Sequence, residues 1–239
     1  MIEGGIQKGA NCPIERRWAK ALGGIAVGET SRLVLRGLYA ITPDDSDTPR
    51  LVRKVEAVLA AKPALLQFRN KLASPKLKEA QALALAALCR KAGVPLIIND
   101  DPGLALRVGA DGVHLGAEDD GLVFARALLG PGAIIGVSCY GNLKLAQKAA
   151  GDGANYVAFG SVFASSTKPN AVRVELGLLA QARHTLHVPL CAIGGIERGN
   201  AGQLIALGVD LVAVISDVFD DPQPGLAATQ FGKLFQRDC

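Results

Sequence analysis

Four phrases along the chain share one construction: KAGVPLII at 91–98, RVGADGVHL at 107–115, GDGANYVAF at 151–159 and ALGVDLVAV at 206–214. Each closes an Ala/Leu-rich run of helical spacing, sets a glycine at its end, and then enters a short apolar run. Glycine supplies the left-handed conformation that ends a helix, and the short apolar runs bounded by such signals read as buried strands. Strands joined through helices must run parallel, because a parallel pair needs a long crossover.

The same rhythm extends from residue 36 to the C-terminus. Strands are expected at 37–42, 64–69, 95–98, 111–115, 133–137, 155–159, 189–193 and 210–215, with helices near 48–61, 75–92, 101–108, 121–129, 142–151, 175–185, 198–207 and 223–236. Eight such units suit a chain of this size as one closed barrel. An open doubly wound sheet would carry G-x-G-x-x-G after its first strand, and here that turn is TPDDSD, 42–47. The expected fold is therefore α/β, a (β/α)8 TIM barrel forming a single catalytic domain over 37–239. Residues 1–36 have weak periodicity and several glycines, and are expected to be an N-terminal extension with room for disorder.

Composition excludes several function classes. Of the formal net charge of +4, the extension holds +3: Lys8, Arg16, Arg17, Lys20, Arg32 and Arg36 against Glu3, Glu15 and Glu29. No basic stripe interleaved with aromatics follows, so no nucleic-acid partner is expected. No apolar run approaches the ~18 residues of a membrane helix, and no basic segment leads into an apolar one at the start, so neither a membrane span nor a secretory signal is expected. Five cysteines (Cys12, Cys89, Cys139, Cys191, Cys239) are odd in number and form no C-x-x-C pair. They suit a reducing cytoplasm better than a disulfide or zinc framework.

In such barrels the chemistry collects at the C-terminal strand ends. The second strand runs out in LLQFRNK, 65–71, where Gln67, Arg69 and Lys71 alternate and would share a face if the strand continued. Asn99, Asp100 and Asp101 follow the third strand, and His114 with Glu118, Asp119 and Asp120 the fourth. Ser138 ends the fifth, GSVFASSTK (160–168) the sixth, Gly194-Gly195 the seventh and Ser216 the eighth. Singly, each has a plain alternative. Asn99 to Asp101 can cap a helix, Asp119 and Asp120 can be first-turn acids, and His114 can be a satisfied structural histidine; His184 and His187 receive no role.

Together they describe one mouth with cations, two carboxylate clusters, hydroxyls and glycine turns. Two carboxylates plus phosphate oxygens are the usual holder of Mg²⁺, and arginine with lysine neutralises a diphosphate. Glycine-rich turns after the last strands form the common barrel phosphate site. The mouth is thus expected to take a Mg²⁺-pyrophosphate group near strands 2–4 and a monophosphate near strands 6–8. No Ser-His-Asp or Cys-His set is evident.

Over about 37–236 the chain resembles the thiamine phosphate synthase (thiamine-phosphate pyrophosphorylase) family through GLYAITPD, LLQFRNK, LIINDD, ADGVHLGAED, IIGVSCY, GANYVAFGSVFASSTK, AIGGI and VAVIS, in that order. The resemblance implies condensation of a hydroxymethylpyrimidine diphosphate with a thiazole phosphate, or its carboxylate, to thiamine phosphate, with pyrophosphate leaving by a Mg²⁺-assisted dissociative route. It implies that Gln67, Phe68, Arg69, Asn70, Lys71, Asn99, Ser138 and Lys168 bind the pyrimidine diphosphate, with Arg69, Lys71, Ser138 and Lys168 catalytic. It further implies Asp100 and Asp119 as Mg²⁺ ligands, and Ser165, Ser166, Thr167, Gly195, Ile215 and Ser216 around the thiazole phosphate. Ala117 stands where glutamine is usual, ASSTK replaces the common Pro-Thr-x-Thr-Lys, and the extension has no counterpart. The partners implied are these small molecules, and a homo-oligomer stays open.

Two rivals share the barrel. A sister enzyme that tautomerises the carboxythiazole phosphate would need no pyrophosphate site and is expected to carry a histidine soon after Ser138, where this chain has Cys139 and Tyr140. A non-catalytic thiazole- or thiamine-phosphate-binding barrel would have lost its metal carboxylates or Lys168, which are retained here.

Overall fold

The computed structural model describes residues 35–116, 121–164 and 173–236. By internal contacts the chain divides into Met1–Val34 and Leu35–Cys239; the first unit lies outside the described residues. In the second, eight strands follow one another around a closed barrel: β1 Gly37–Ile41, β2 Leu65–Phe68, β3 Leu96–Asn99, β4 Gly112–Leu115, β5 Ile134–Tyr140, β6 Tyr156–Gly160, β7 Leu190–Ile193 and β8 Leu211–Val214. Every neighbouring pair is parallel, and β1 closes on β8 with Leu38 beside Val212 and Tyr39 beside Ala213.

Helices fill the connections: α1 Thr48–Ala60, α2 Pro75–Ala92, α3 Pro102–Val108, α4 Gly121–Leu129, α5 Leu143–Gly151, α6 Leu176–Thr185, α7 Ala201–Ala206, α8 Ser216–Phe219 and α9 Pro224–Leu234. Their starts are encoded locally. Asp47, Ser74, Asp101 and Asn142 accept a hydrogen bond from the backbone N–H three residues on, satisfying donors that a helix leaves free. The first three are followed by proline within the first turn, where its missing N–H costs nothing. At the ends, Gly93 (φ 65°) and Gly109 (φ 63°) are left-handed caps, as expected. In the other two phrases the glycine comes one residue later: Asp152 and Leu207 cap α5 and α7, and Gly153 and Gly208 take the positive φ.

Alternation along each strand sorts the apolar side chains into two layers. Tyr39, Ile41, Leu65, Ile97, Ile134, Tyr156, Ala158, Cys191, Leu211 and Ala213 fill the barrel. Leu38, Leu66, Phe68, Ile98, Val113, Ile135, Val157 and Val212 face the helices. Gly136 makes the inner layer possible, because a Cβ there would fall 1.9 Å from the Tyr156 ring.

Three expectations need correcting. β2 stops at Phe68, so Gln67 stays in the sheet while Arg69 and Lys71 belong to the following loop. β5 does not end at 137 but runs to Tyr140, with a register shift between Ser138 and Tyr140. A one-turn helix, Ser216–Phe219, intervenes between β8 and the last helix; four residues are too few to show a period.

Candidate active site

The C-terminal strand ends open into one cavity of about 1040 Å³, large by the ~300–1000 Å³ standard of small-molecule sites. Gln67, Arg69, Lys71, Asn99, Asp100, Ser138, Gly195, Ile215 and Ser216, all expected from the sequence, line it.

On the β2–β3 side the loops after β1 and β2 are tied together by buried polar groups. The Thr42 hydroxyl donates to the carbonyl of Arg69 (3.0 Å) and accepts from its N–H (2.9 Å). Asn70 Nδ2 donates to the Asp45 carbonyl (2.8 Å) and to Gln81 Oε1 (3.0 Å), and Gln81 Nε2 donates to the same carbonyl (2.9 Å). Thr42, Asp45, Asn70 and Gln81 are all buried. Buried polar groups that bond one another fully hold a single arrangement, and this one directs the next side chains into the mouth. Asp44 then fixes this loop, accepting from the Arg69 guanidinium (Nη1, 2.9 Å) and from the Lys71 backbone N–H.

Across the mouth, Asp100 has a left-handed backbone, φ 60°, a conformation that costs a non-glycine residue and recurs at functional sites. Its half-exposed carboxylate accepts from Asn99 Nδ2 at 2.7 Å and faces Lys71 Nζ at 3.7 Å.

The floor is a continuous buried chain that sequence reading did not find. Gln67 Nε2 donates to Tyr39 Oη at 2.6 Å, and Tyr39 Oη meets Tyr156 Oη at 2.7 Å. Tyr156 Oη meets His114 Nδ1 at 2.9 Å, and His114 Nε2 meets Ser138 Oγ at 2.9 Å. Burial drives the His114 pKa down to about 4, against the opposing pull of the Asp100 charge, so the ring is neutral near pH 7. The His114–Ser138 pair looks like half of a nucleophilic triad. Its other nitrogen, however, meets a phenol and no carboxylate, and a ring so hard to protonate is a poor base. Nor do the described thiols of β5 and β7 offer a nucleophile: burial pushes Cys139 up to about 12, and Cys191 higher still.

On the β7–β8 side, Gly194 (φ 105°) and Gly195 (φ 62°) carry the chain past the β6 loop. A Cβ on Gly195 would lie 2.1 Å from the Ala164 carbonyl oxygen, so the turn requires glycine twice over, for conformation and for space. Asn200 Nδ2 pins the Gly195 carbonyl at 3.0 Å. Nearby, Arg198 is engaged by Asp217 (3.0 Å) and Asp221 (2.9 Å).

Not every expected residue arrives at the cavity. Phe68 packs into the outer layer, and Asn70 is spent on the loop tie; neither lines the mouth. Asp119, Ser165, Ser166, Thr167 and Lys168, and with them Ala117, lie outside the described residues. Among the described residues no cluster of three His, Cys, Asp or Glu could hold a metal, and no helix is long and apolar enough to cross a membrane. The missed residues are Tyr39, Asp44, Tyr156 and His114's paired role. Asp44 sat in the quoted TPDDSD turn, whereas nothing local marks the two tyrosines.

A model of the thiamine monophosphate synthase family matches residues 38–218. The thiamine-phosphate synthase of Aromatoleum aromaticum is 55% identical over 201 residues, covering 84% of this chain and 97% of that one. That of an Azoarcus species is likewise 55% identical over 201 residues, covering 84% and 98%. Among solved structures, a thiamine phosphate pyrophosphorylase from Pyrococcus furiosus superimposes with a TM-score of 0.76 at 31% identity, covering 86% of this chain and 98% of that one. A 3-hexulose-6-phosphate synthase, with a TM-score of 0.62 at 19% identity over 82% of this chain and 99% of that one, shares the fold alone.

Proposed function

This chain belongs to the thiamine monophosphate synthase family and is a transferase, and from that premise we propose how the cavity divides the work. The pyrimidine diphosphate lies over Gln67 and Ser138, with its diphosphate toward Arg69, Lys71 and Asn99. The thiazole phosphate lies against Gly195, Ile215 and Ser216, with Ser165, Ser166 and Thr167 contributed by the β6–α6 connection, whose Lys168 goes to the pyrimidine diphosphate. The observation that carries this reading is the convergence of a cationic wall and a glycine turn on opposite sides of one cavity, two anion sites facing one reaction volume.

The residues present fit Mg²⁺. Asp100 offers a hard, half-exposed oxygen donor at the mouth, bonded to Asn99 alone at short range and within reach of a diphosphate held by Lys71; Asp119 is proposed as the second ligand. Mg²⁺ keeps most of its shell as water and phosphate oxygens, so no three-residue cluster is needed. When bound, it would neutralise charge on the departing pyrophosphate. Arg69 and Lys71 stabilise that same charge as the C–O bond breaks, and Asp44 holds Arg69 in position before the reaction begins. Charge-directed stabilisation of this kind needs no nucleophile from the protein, in keeping with the raised thiols and the weakly basic His114. The thiazole nitrogen then supplies the electron pair for the new C–N bond. The three described cysteines, Cys89, Cys139 and Cys191, are free and buried, which supports a reducing compartment.

The tautomerase reading finds no support in the site, since Tyr140 stands half exposed where its histidine is expected. The test is a two-substrate assay that follows pyrophosphate. Release should require both the pyrimidine diphosphate and the thiazole phosphate, and should stop with EDTA. Full activity in EDTA would remove the metal, and no release with both substrates would remove the reading itself.

A further inference from the structure

The buried chain beneath the cavity has a direction, and we propose that this direction makes the Ser138 hydroxyl a hydrogen-bond donor to the pyrimidine diphosphate, with His114 and Tyr156 as its positioning residues. The proposal rests on the reading above for which substrate lies over Ser138.

The direction follows from counting protons. An amide nitrogen only donates, so Tyr39 Oη accepts from Gln67 Nε2. Tyr39 carries one proton, and Tyr156 Oη is the partner within reach. Burial holds both phenols protonated, so Tyr156, having accepted, passes its own proton toward His114 Nδ1. Nδ1 is then an acceptor, and the neutral ring carries its hydrogen on Nε2. Nε2–H donates to Ser138 Oγ, which leaves the serine's proton without a partner in the chain. Ser138 lines the cavity and is partly exposed, so that proton is available to an acceptor on bound substrate.

The reverse direction requires Gln67 to turn its oxygen toward Tyr39. Instead its Nε2 faces that hydroxyl, and Oε1, with no partner among the described residues, opens to the cavity that Gln67 lines. The chain therefore presents an acceptor from Gln67 at one end and a donor from Ser138 at the other. Leaving either unpaired against a mismatched group would be costly in so buried a floor. Tyr156 stands below the lining residues, so it reaches substrate only through its partners in the chain, His114 and Tyr39. Its placement depends on Gly136 and on stacking against the imidazole, centroids 5.7 Å apart at 21°.

The experiment uses the full chain with ¹⁵N-labelled histidine, read by two-bond ¹H–¹⁵N correlation at pH 7 without substrate, with His114→Gln to assign the signal. The wild type should show His114 as the neutral Nε2–H tautomer, and an Nδ1–H tautomer or a charged ring would overturn the proposal. Tyr156→Phe should lose the pure Nε2–H signature and lower kcat/KM for the pyrimidine diphosphate about tenfold, with KM for the thiazole phosphate unchanged. A variant that kept both tautomer and kinetics would refute the positioning role. If Tyr156→Phe does not fold, the wild-type tautomer alone decides the direction. A wild type that never releases pyrophosphate would overturn the assigned substrate, while the tautomer would still judge the direction.

Discussion

Asp44 and Asp45 are neighbours with opposite duties. Asp44 is spent on the cavity wall, gripping Arg69. Asp45 is buried and builds the loop, accepting from Arg50 Nε at 2.9 Å, from Arg50 Nη2 at 2.6 Å and from the Asp47 N–H at 2.8 Å. The Arg50 hydrogen bonds, joined by the Asp47 N–H and the charges of Arg50 and Lys54, hold its carboxyl below the usual range against the effect of burial. A depressed carboxyl stabilises the fold above its unfolded pKa, near 4, and that contribution fades as pH falls through the lower folded value. Asp45→Asn should therefore lower Tm at pH 7, and the gap to wild type should narrow below about pH 4. Thermal unfolding by circular dichroism from pH 7 to pH 3 measures it; a gap that stayed constant would show that the charge is not what matters.

At the scale of elements, the junction between β3 and α3 shows how one loop divides structure from chemistry. Asp101 caps α3, accepting from the Leu104 N–H at 2.8 Å. Asp100, one residue earlier, takes a left-handed backbone that presents its carboxylate to the mouth. Of the two readings left open for this triplet, the cap falls on Asp101, which leaves Asp100 at the mouth as the proposed ligand. Asp101→Ala should cost about 1 kcal/mol of stability with kcat retained. Asp100→Asn, which tolerates the left-handed backbone, should keep its urea midpoint and lose about a hundredfold or more in rate. Urea denaturation beside steady-state kinetics separates them, and a fully active Asp100→Asn would remove Asp100 from the metal site.

For the molecule as a whole, the question is how much chain the barrel needs. The family match begins at residue 38, and the described barrel begins at Leu35, which is buried in the inner layer. Arg36 donates to the Phe235 carbonyl at 3.0 Å and lies over its ring, tying the first strand to the chain just beyond α9. We propose that residues 1–34 are dispensable. A chain starting at Leu35 should fold with a Tm close to that of the full chain and release pyrophosphate at the same rate. An insoluble or inactive truncation would assign those residues a part in the barrel.

The sequence by itself determined the order and kind of the elements other than the one-turn helix Ser216–Phe219, their closure into a parallel barrel, and lining residues such as Gln67, Asp100, Ser138 and Ser216. Those signals are local: strand and helix periods, caps such as Gly93 and Asp101, and the rule that strand ends carry the chemistry each need only a short window of chain. Only the tertiary structure decided what the side chains at those positions do. Asn70 looks like a neighbour of the cations, yet it ties loops together, because its partners lie at Asp45 and Gln81. Tyr39 and Tyr156, 117 residues apart, are ordinary strand aromatics in the sequence. They join Gln67 to His114 and Ser138 because closure and register place their inward side chains together in the barrel interior. Which inward residues meet is set by the stagger of all eight strands at once, and no single stretch of sequence contains that quantity.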